Sequence, residues 1–195
     1  MMKTLMILAH SNIQNSLANK IIAEKISLLA DTEVRNLGQL YPDFQIDIAA
    51  EQQALLQADL IIFQYPFHWY SVPGILKEWM DRVFLFGFAY GPDSQLRGKE
   101  LLVSTTIGGP LNSYAAGGHN HFTTQELLRP LEQSANFTGM IFQPPLISHD
   151  MVYKAGGDNS REDIMQRAHE HAGQLCRLIQ QKSAAFIQKD APSAA

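Results

Sequence analysis

Strand-like and helix-like patterns alternate along the whole chain, and this alternation limits the fold more than any other feature. Five short apolar runs are each followed, after a turn or loop, by a segment whose apolar residues have helical spacing. A strand, a helix and a further strand form a right-handed crossover in a parallel sheet. The sequence therefore predicts an α/β fold in which helices cover both faces of a five-stranded parallel sheet.

The predicted elements can be placed along the sequence. The strands are KTLMILA, TEVRNL, DLIIFQ, KELLVSTT and GMIFQPP. The helices are predicted over residues 16–29, 49–57, 75–84, 123–135 and 161–187. For a sheet of five strands we expect the flavodoxin-like order 2-1-3-4-5, which has its ligand crevice beside the first and third strands.

Length, charge and cysteine content exclude several classes of protein. With 195 residues the chain is most simply one domain, over residues 1–187, with a frayed tail at residues 188–195. A net charge of -4 without a basic cluster argues against a nucleic-acid partner. Cys176 is the single cysteine, which excludes an internal disulfide and fits a reducing compartment. We expect a soluble, cytoplasmic protein whose contact with a membrane, if any, is peripheral.

The segment QYPFHWYSVPGILKEWMDRVF, residues 64–84, indicates a binding site. It joins the third strand to a helix through a loop that carries no charge and holds four consecutive ring side chains: Phe67, His68, Trp69 and Tyr70. The loop follows the carboxyl end of a predicted parallel strand, where open α/β sheets bind ligands. An uncharged aromatic surface with free backbone N–H groups suits a large flat heterocycle.

Two further loops at strand ends converge on the same crevice. Asn15 and Ser16 precede the first helix, and Ser16 is a candidate N-cap. The N–H groups and dipole of a helix start can bind a phosphate without lysine or arginine. After the fourth strand, Thr106, Ile107, Gly108 and Gly109 offer backbone donors that a ligand can approach closely.

Tyr114 and His119 follow in that third loop, and a phenol with an imidazole can relay a proton at neutral pH. Other chemistries lack their motifs. The chain has no GxxxxGK[ST], no GxGxxG and no GxSxG. His119 and His121 lack the helical spacing and carboxylate partner of a metal site, so we predict no metal.

These residues carry a resemblance to a known family. AHSNIQNSLAN, the block over residues 64–84, GFAYG and TIGG with Tyr114 resemble the flavin-dependent NAD(P)H:quinone oxidoreductases of the DT-diaphorase type. LYPDFQIDIAAEQ and LRGKELL are most similar to the ancillary oxidoreductases of bacterial glutathione-regulated potassium-efflux systems. The similarity extends to about Asp150.

The resemblance implies a homodimer that binds a flavin at the carboxyl edge of the sheet and reduces quinones by two electrons. The implied flavin contacts are His10, Ser16, Leu17, Ala18, Asn19, residues 67–70 and residues 106–109, and the implied proton relay is Tyr114 with His119. Ala18 replaces the asparagine of the FAD-binding animal enzymes, which favours FMN and leaves FAD possible. We expect the aromatic loop at residues 86–91 to lie in the dimer interface.

The leading hypothesis is an FMN-dependent enzyme that passes a hydride from NAD(P)H, through flavin N5, to a quinone-like electrophile. A regulatory subunit of a potassium antiporter, with secondary enzyme activity, is the alternative. A one-electron flavodoxin fits less well, because its open site and strong acidity do not match a charge of -4 and two long aromatic loops. The acceptor and the choice between NADH and NADPH stay open.

Overall fold

A computed structural model describes residues 1–153 and 159–190. The strands in this part are Thr4–Leu8 (β1), Thr32–Asn36 (β2), Leu60–Pro66 (β3), Glu100–Thr106 (β4), Ile141–Phe142 (β5) and Leu146–Ser148 (β6). The α-helices are Leu17–Ile26 (α1), Leu37–Leu40 (α2), Ile48–Gln57 (α3), Gly74–Val83 (α4), Thr124–Thr138 (α5) and Arg161–Asp190 (α6). The last helix thus extends into the predicted tail, and residues 191–195 of that tail lie outside the described residues.

The strands form one parallel sheet in the order β2-β1-β3-β4-β5, which confirms the predicted topology. β3 is central, and its Gln64 lies between Leu8 of β1 and Ser104 of β4. Helices cover both faces, so the inner strands are buried on both sides and their sequences are almost continuously apolar. The carboxyl ends of β1, β3 and β4 meet at one edge of the sheet.

The predicted fifth strand is divided into two pieces. β5 pairs with the first residues of β4, and β6 pairs with Ser104–Thr106 at its end. Pro144 and Pro145 separate the pieces, because proline has no N–H with which to continue the ladder. The break brings Ser148 beside Thr106, so the residues after Ser148 emerge at the carboxyl edge.

The two faces of the sheet have separate cores. α1 and α6 pack on one face, and α3, α4 and α5 pack on the other. The apolar stripe of the last helix is buried throughout: Ile164, Ala168, Ala172, Leu175 and Ile179. Cys176 is half-buried beside this stripe, and burial raises the pKa of its thiol, as expected for a packing residue rather than a nucleophile.

Two exposed ion pairs on α4, Lys77 with Asp81 and Arg82 with Glu78, join residues four apart on the solvent face. The apolar stripe on the opposite side of the helix buries Trp79 completely. Within residues 1–153 and 159–190, every helix is too short or too polar to cross a bilayer.

Candidate functional site

A cleft of about 470 Å³ lies at the carboxyl edge of the sheet. Nine residues predicted from the sequence line it: His10, Ser16, Leu17, Ala18, Asn19, Phe67, His68, Thr106 and Gly108. They come from the ends of β1, β3 and β4 and from the first turn of α1. The structure therefore brings the three predicted loops together around one cavity.

Four other predicted contacts lie beside the cleft rather than in its lining. Ile107 is buried behind it, and Gly109 follows Gly108 at its rim. Tyr70 is partly exposed, and the Trp69 side chain is 92% exposed. A direct role for these four in cofactor binding stays a prediction.

The start of α1 forms one end of the cleft. Ser16 caps the helix, as predicted, and its Oγ accepts a hydrogen bond of 3.0 Å from the Asn19 amide. The first turn contains no acidic residue. Its remaining N–H groups and the helix dipole favour an anion at this end.

The aromatic loop closes in a turn that the sequence analysis did not predict. His68 and Ser71 exchange two backbone hydrogen bonds of 3.1 and 3.0 Å around Trp69 and Tyr70. Both turn residues have positive φ angles, 49° and 61°. Bulky side chains rarely adopt this conformation, so the turn holds backbone strain of the kind found at functional sites.

A hydrogen bond connects this turn to the third loop. The Tyr70 hydroxyl donates to Asn120 Oδ1 at 3.1 Å, and Asn120 Nδ2 donates to Ser113 Oγ at 2.8 Å. Asn120 thus joins the loop that carries Trp69 to the loop that carries Tyr114. These hydrogen bonds hold the two loops relative to each other.

Two glycines allow close approaches near the site. A Cβ on Gly38 would lie 2.6 Å from the carbonyl oxygen of His10, so only glycine lets α2 contact the first loop. A Cβ on Gly109 would lie 3.2 Å from the Tyr114 ring. Tyr114 therefore packs against the backbone that follows β4.

The described lining of the cleft contains one permanently charged side chain, Arg161. Burial, with a smaller contribution from nearby His68, lowers the pKa of His10, which keeps its imidazole uncharged at neutral pH. No carboxylate lies in the described lining. Arg161, at the start of α6, lines the same end of the cleft as Ser16, and its guanidinium lies 5.8 Å from the centre of the Tyr153 ring.

Tyr114 and His119 are placed differently from each other. The Tyr114 ring contacts Phe67 edge to face at 6.5 Å, and burial, assisted by Tyr70, raises the pKa of its phenol. Tyr114 therefore keeps its proton at neutral pH. His119 is exposed and makes no hydrogen bond to Tyr114. Their predicted relay would need a bound molecule between the two side chains.

His149, which the sequence analysis did not single out, lies beside Tyr114. The rings of His149 and Tyr114 are 5.3 Å apart, and His149 Nδ1 is 3.2 Å from the carbonyl oxygen of Gly109. His149 directly follows β6. With Met151, Val152 and Tyr153, which line the cleft, it forms a fourth strand-end loop. Ligands bind at loops that follow the carboxyl ends of parallel strands, and this loop follows β6 in the same way. The sequence did not reveal it, because the predicted fifth strand ends at Pro145, before β6 begins.

Comparisons with known proteins agree with this architecture. A protein family described by its flavodoxin-like fold matches residues 2–175. The ancillary protein KefF of the glutathione-regulated potassium-efflux system of Klebsiella aerogenes is 47% identical over 86% of this chain and 98% of that protein. The chain belongs to this flavodoxin-like family.

Two solved structures are also similar. General stress protein 14 of Treponema denticola, in complex with FMN, is 32% identical and has a TM-score of 0.80, covering 90% of this chain and 99% of that one. An NADPH-quinone reductase of P. pentosaceus is 33% identical and has a TM-score of 0.74, covering 88% of this chain and 98% of that one.

Proposed function

We propose that this protein is an FMN-dependent NAD(P)H:quinone oxidoreductase. The observation that carries the proposal is the cleft itself, in which a capped helix start lies at one end and an uncharged aromatic loop forms a wall. A phosphate suits the first feature and a flat ring system suits the second. The FMN bound by the T. denticola protein and the activity named for the P. pentosaceus protein support the proposal.

The residues of the cleft fit FMN in chemical character. The amides of the first turn of α1, the Ser16 hydroxyl and the Arg161 guanidinium would hold the phosphate. Phe67, His68 and the backbone of residues 106–109 would hold the ring, with Trp69 and Tyr70 at its edge. Ala18 offers no polar group for a larger cofactor, so we expect FMN rather than FAD.

FMN bound here would supply the redox chemistry, in which two electrons pass as a hydride from NAD(P)H to a quinone-like electrophile. Backbone donors at Gly108 and Gly109 would stabilise the negative charge that collects at the edge of the ring. Tyr114 can donate a hydrogen bond there, because its raised pKa keeps the phenol protonated. His119 would exchange a proton with solvent from its exposed position.

The cofactor and the reaction can be tested on the purified protein. We expect the extracted cofactor to be FMN, and the flavin absorbance to be bleached by NAD(P)H and restored by a quinone. Protein purified without flavin should bind FMN in equal molar amount. Stoichiometric FAD, or a flavin that NAD(P)H leaves oxidised, would contradict the proposal.

The proposed relay can be tested with matched variants. Tyr114→Phe and His119→Gln should each slow flavin reduction, and loss of one donor at such a site costs roughly 10²–10³ in rate. His121→Gln is the control, since His121 is another exposed histidine of the same loop. Stopped-flow measurement separates reduction from binding. If both relay variants reduce at the wild-type rate, positioning alone is sufficient.

A regulatory role is the second candidate, and the 47% identity to a KefF protein over 98% of its length favours it. In that role the protein would act in the cytoplasm, peripherally on the inner face of the membrane, bound to a potassium antiporter. Co-purification with the antiporter and a change in potassium efflux would support it. An active enzyme that leaves efflux unchanged would favour the first candidate alone.

We also propose a C2 homodimer. Phe86 is 71% exposed and Phe137 is 65% exposed, and the Tyr90 ring packs between them at 5.7 and 5.1 Å. Phe88 and Tyr90 also pack against the main core. An exposed aromatic cluster of this kind is typical of an interface. Sedimentation of an active monomer at micromolar concentration would contradict the dimer.

A further inference from the structure

A line of uncharged polar side chains runs from the cleft into the core between α1, α6 and the sheet. Its members are joined in sequence by hydrogen bonds: Thr106, Asn19, Gln64, Ser104, His171 and Ser148. All but Ser148 are at least 95% buried. We call this line the neutral chain, and it begins at a residue of the cleft lining.

The hydrogen bonds of the neutral chain run in one direction. The Ser104 hydroxyl donates its single hydrogen to Gln64 Oε1 at 2.6 Å. Ser104 Oγ must therefore accept from His171 Nε2, which lies 2.7 Å away. A neutral imidazole has one N–H, so His171 Nδ1 accepts from the Ser148 hydroxyl at 2.7 Å.

The same direction continues to the cleft. Gln64 Nε2 donates to Asn19 Oδ1 at 2.8 Å, and Asn19 Nδ2 donates to Thr106 Oγ1 at 3.0 Å. Ser16 Oγ also accepts, from the Asn19 backbone amide. The hydroxyl hydrogens of Thr106 and Ser16 are both left to donate towards a ligand, as an acceptor-rich group such as phosphate or a polyol requires.

The opposite direction needs only the other tautomer of His171. With the proton on Nδ1, Ser104 would donate to Nε2, both amides would turn over, and Thr106 would donate to Asn19. Its hydroxyl hydrogen would then be unavailable to the cleft. The state of one buried imidazole thus determines whether Thr106 faces the ligand as a donor.

We propose that His171 is a positioning residue for the cofactor site, which acts through Ser104, Gln64 and Asn19 to hold the Thr106 hydroxyl as a donor to FMN. The role rests on the proposed cofactor. His171 itself contacts neither the cleft nor the reacting atoms. Burial of the ring lowers its pKa from 6.5 to about 4, so the imidazole is neutral at neutral pH and carries a single N–H.

Nuclear magnetic resonance of the FMN-loaded wild-type protein tests the tautomer directly. Two-bond ¹H–¹⁵N correlations should show His171 Nε2 protonated and Nδ1 unprotonated. Protonation at Nδ1 alone would overturn the proposal. The measurement needs no substitution, so it decides the question even if a variant fails to fold.

Cofactor affinity tests the consequence. His171→Leu removes the donor to Ser104 and should weaken FMN binding on the order of tenfold, the lower end expected for one hydrogen bond to a charged or strongly polar ligand. His171→Gln retains an N–H donor and should restore most of the affinity. The rate of the FMN-saturated enzyme should change by less than about twofold, because the lost hydrogen bond is equally strong in the ground state and in the transition state.

Ile179→Ala is the control for a merely structural effect. Ile179 is a buried residue of the same helix that has no part in the neutral chain. It should lower stability without changing FMN affinity at a temperature well below unfolding. If His171→Leu binds FMN as tightly as the wild type, the proposal is wrong. If the wild type itself binds no FMN, the proposed function fails instead, so the two failures are distinguishable.

Discussion

Two buried polar networks lie on opposite faces of the sheet and satisfy their members in contrasting ways. On the face of α3 and α4, the fully buried carboxylate of Glu51 accepts hydrogen bonds from Arg35, Tyr41 and Trp79 at 2.5, 2.6 and 2.8 Å. On the face of α1 and α6, the neutral chain contains no ion at ordinary pH. The first network is centred on the carboxylate of Glu51, and the direction of the second depends on the tautomer of His171.

The two networks have different roles: the Glu51 network holds elements of the fold together, and the neutral chain orients side chains of the cleft. A buried carboxylate is tolerated only when donors surround it, so the Glu51 network ties β2, α3 and α4 into one arrangement. The hydrogen bond to Glu51 raises the pKa of Arg35 above its ordinary value, so the guanidinium stays charged. A neutral chain runs in the direction that its histidine tautomer sets, so it can orient groups that a ligand contacts.

The largest effect is expected when the charged network loses its centre. Glu51→Ala should reduce the free energy of unfolding by about 3–5 kcal/mol, because Arg35 keeps its charge in a largely buried position. Urea denaturation measures the change. Glu33→Ala is the control, since Glu33 pairs with the same arginine at an exposed position and should cost at most about 1 kcal/mol. Equal losses in both variants would show that the buried and the exposed ion pair of Arg35 contribute equally to stability.

Acid should act on the neutral network through His171. Burial lowers its pKa from 6.5 to about 4, so the unfolded chain binds the proton more tightly than the folded one. The stabilisation is fully present above pH 6.5 and is lost as the pH falls towards 4, by roughly 3 kcal/mol.

Other groups also titrate in this range, so the measurement compares the wild type with His171→Gln. The difference between their free energies of unfolding should shrink steadily from pH 7 to pH 4. Parallel curves would show that His171 has the same proton affinity in both states.

A smaller loss should follow removal of one donor from Glu51. Tyr41→Phe deletes the 2.6 Å hydrogen bond and should cost about 1.5–3 kcal/mol, the value for a bond to a charged acceptor. It should leave FMN affinity unchanged, since Tyr41 does not line the cofactor cleft. Weaker FMN binding in this variant would mean that the two networks are coupled through the sheet.

Local patterns along the chain were sufficient to predict most of the fold. Apolar runs of strand length, separated by amphipathic segments, lead to a parallel sheet because each buried strand needs helices on both faces. The Ser16 cap was predicted correctly, because it depends on residues a few positions apart. The division of the fifth strand was missed, although its two prolines indicated it.

Sequence alone also indicated three of the loops that line the cleft, because the ends of parallel strands always meet at one edge. Tertiary structure decided everything that depends on residues distant in sequence. The positive φ angles of Trp69 and Tyr70, the approach of His149 to Tyr114, and Arg161 in the cleft lining each required packing between separate elements. The neutral chain is the clearest case. Asn19, Gln64, Ser104 and His171 are ordinary polar residues in the sequence, and only burial on one face of the sheet makes each the other's hydrogen-bond partner.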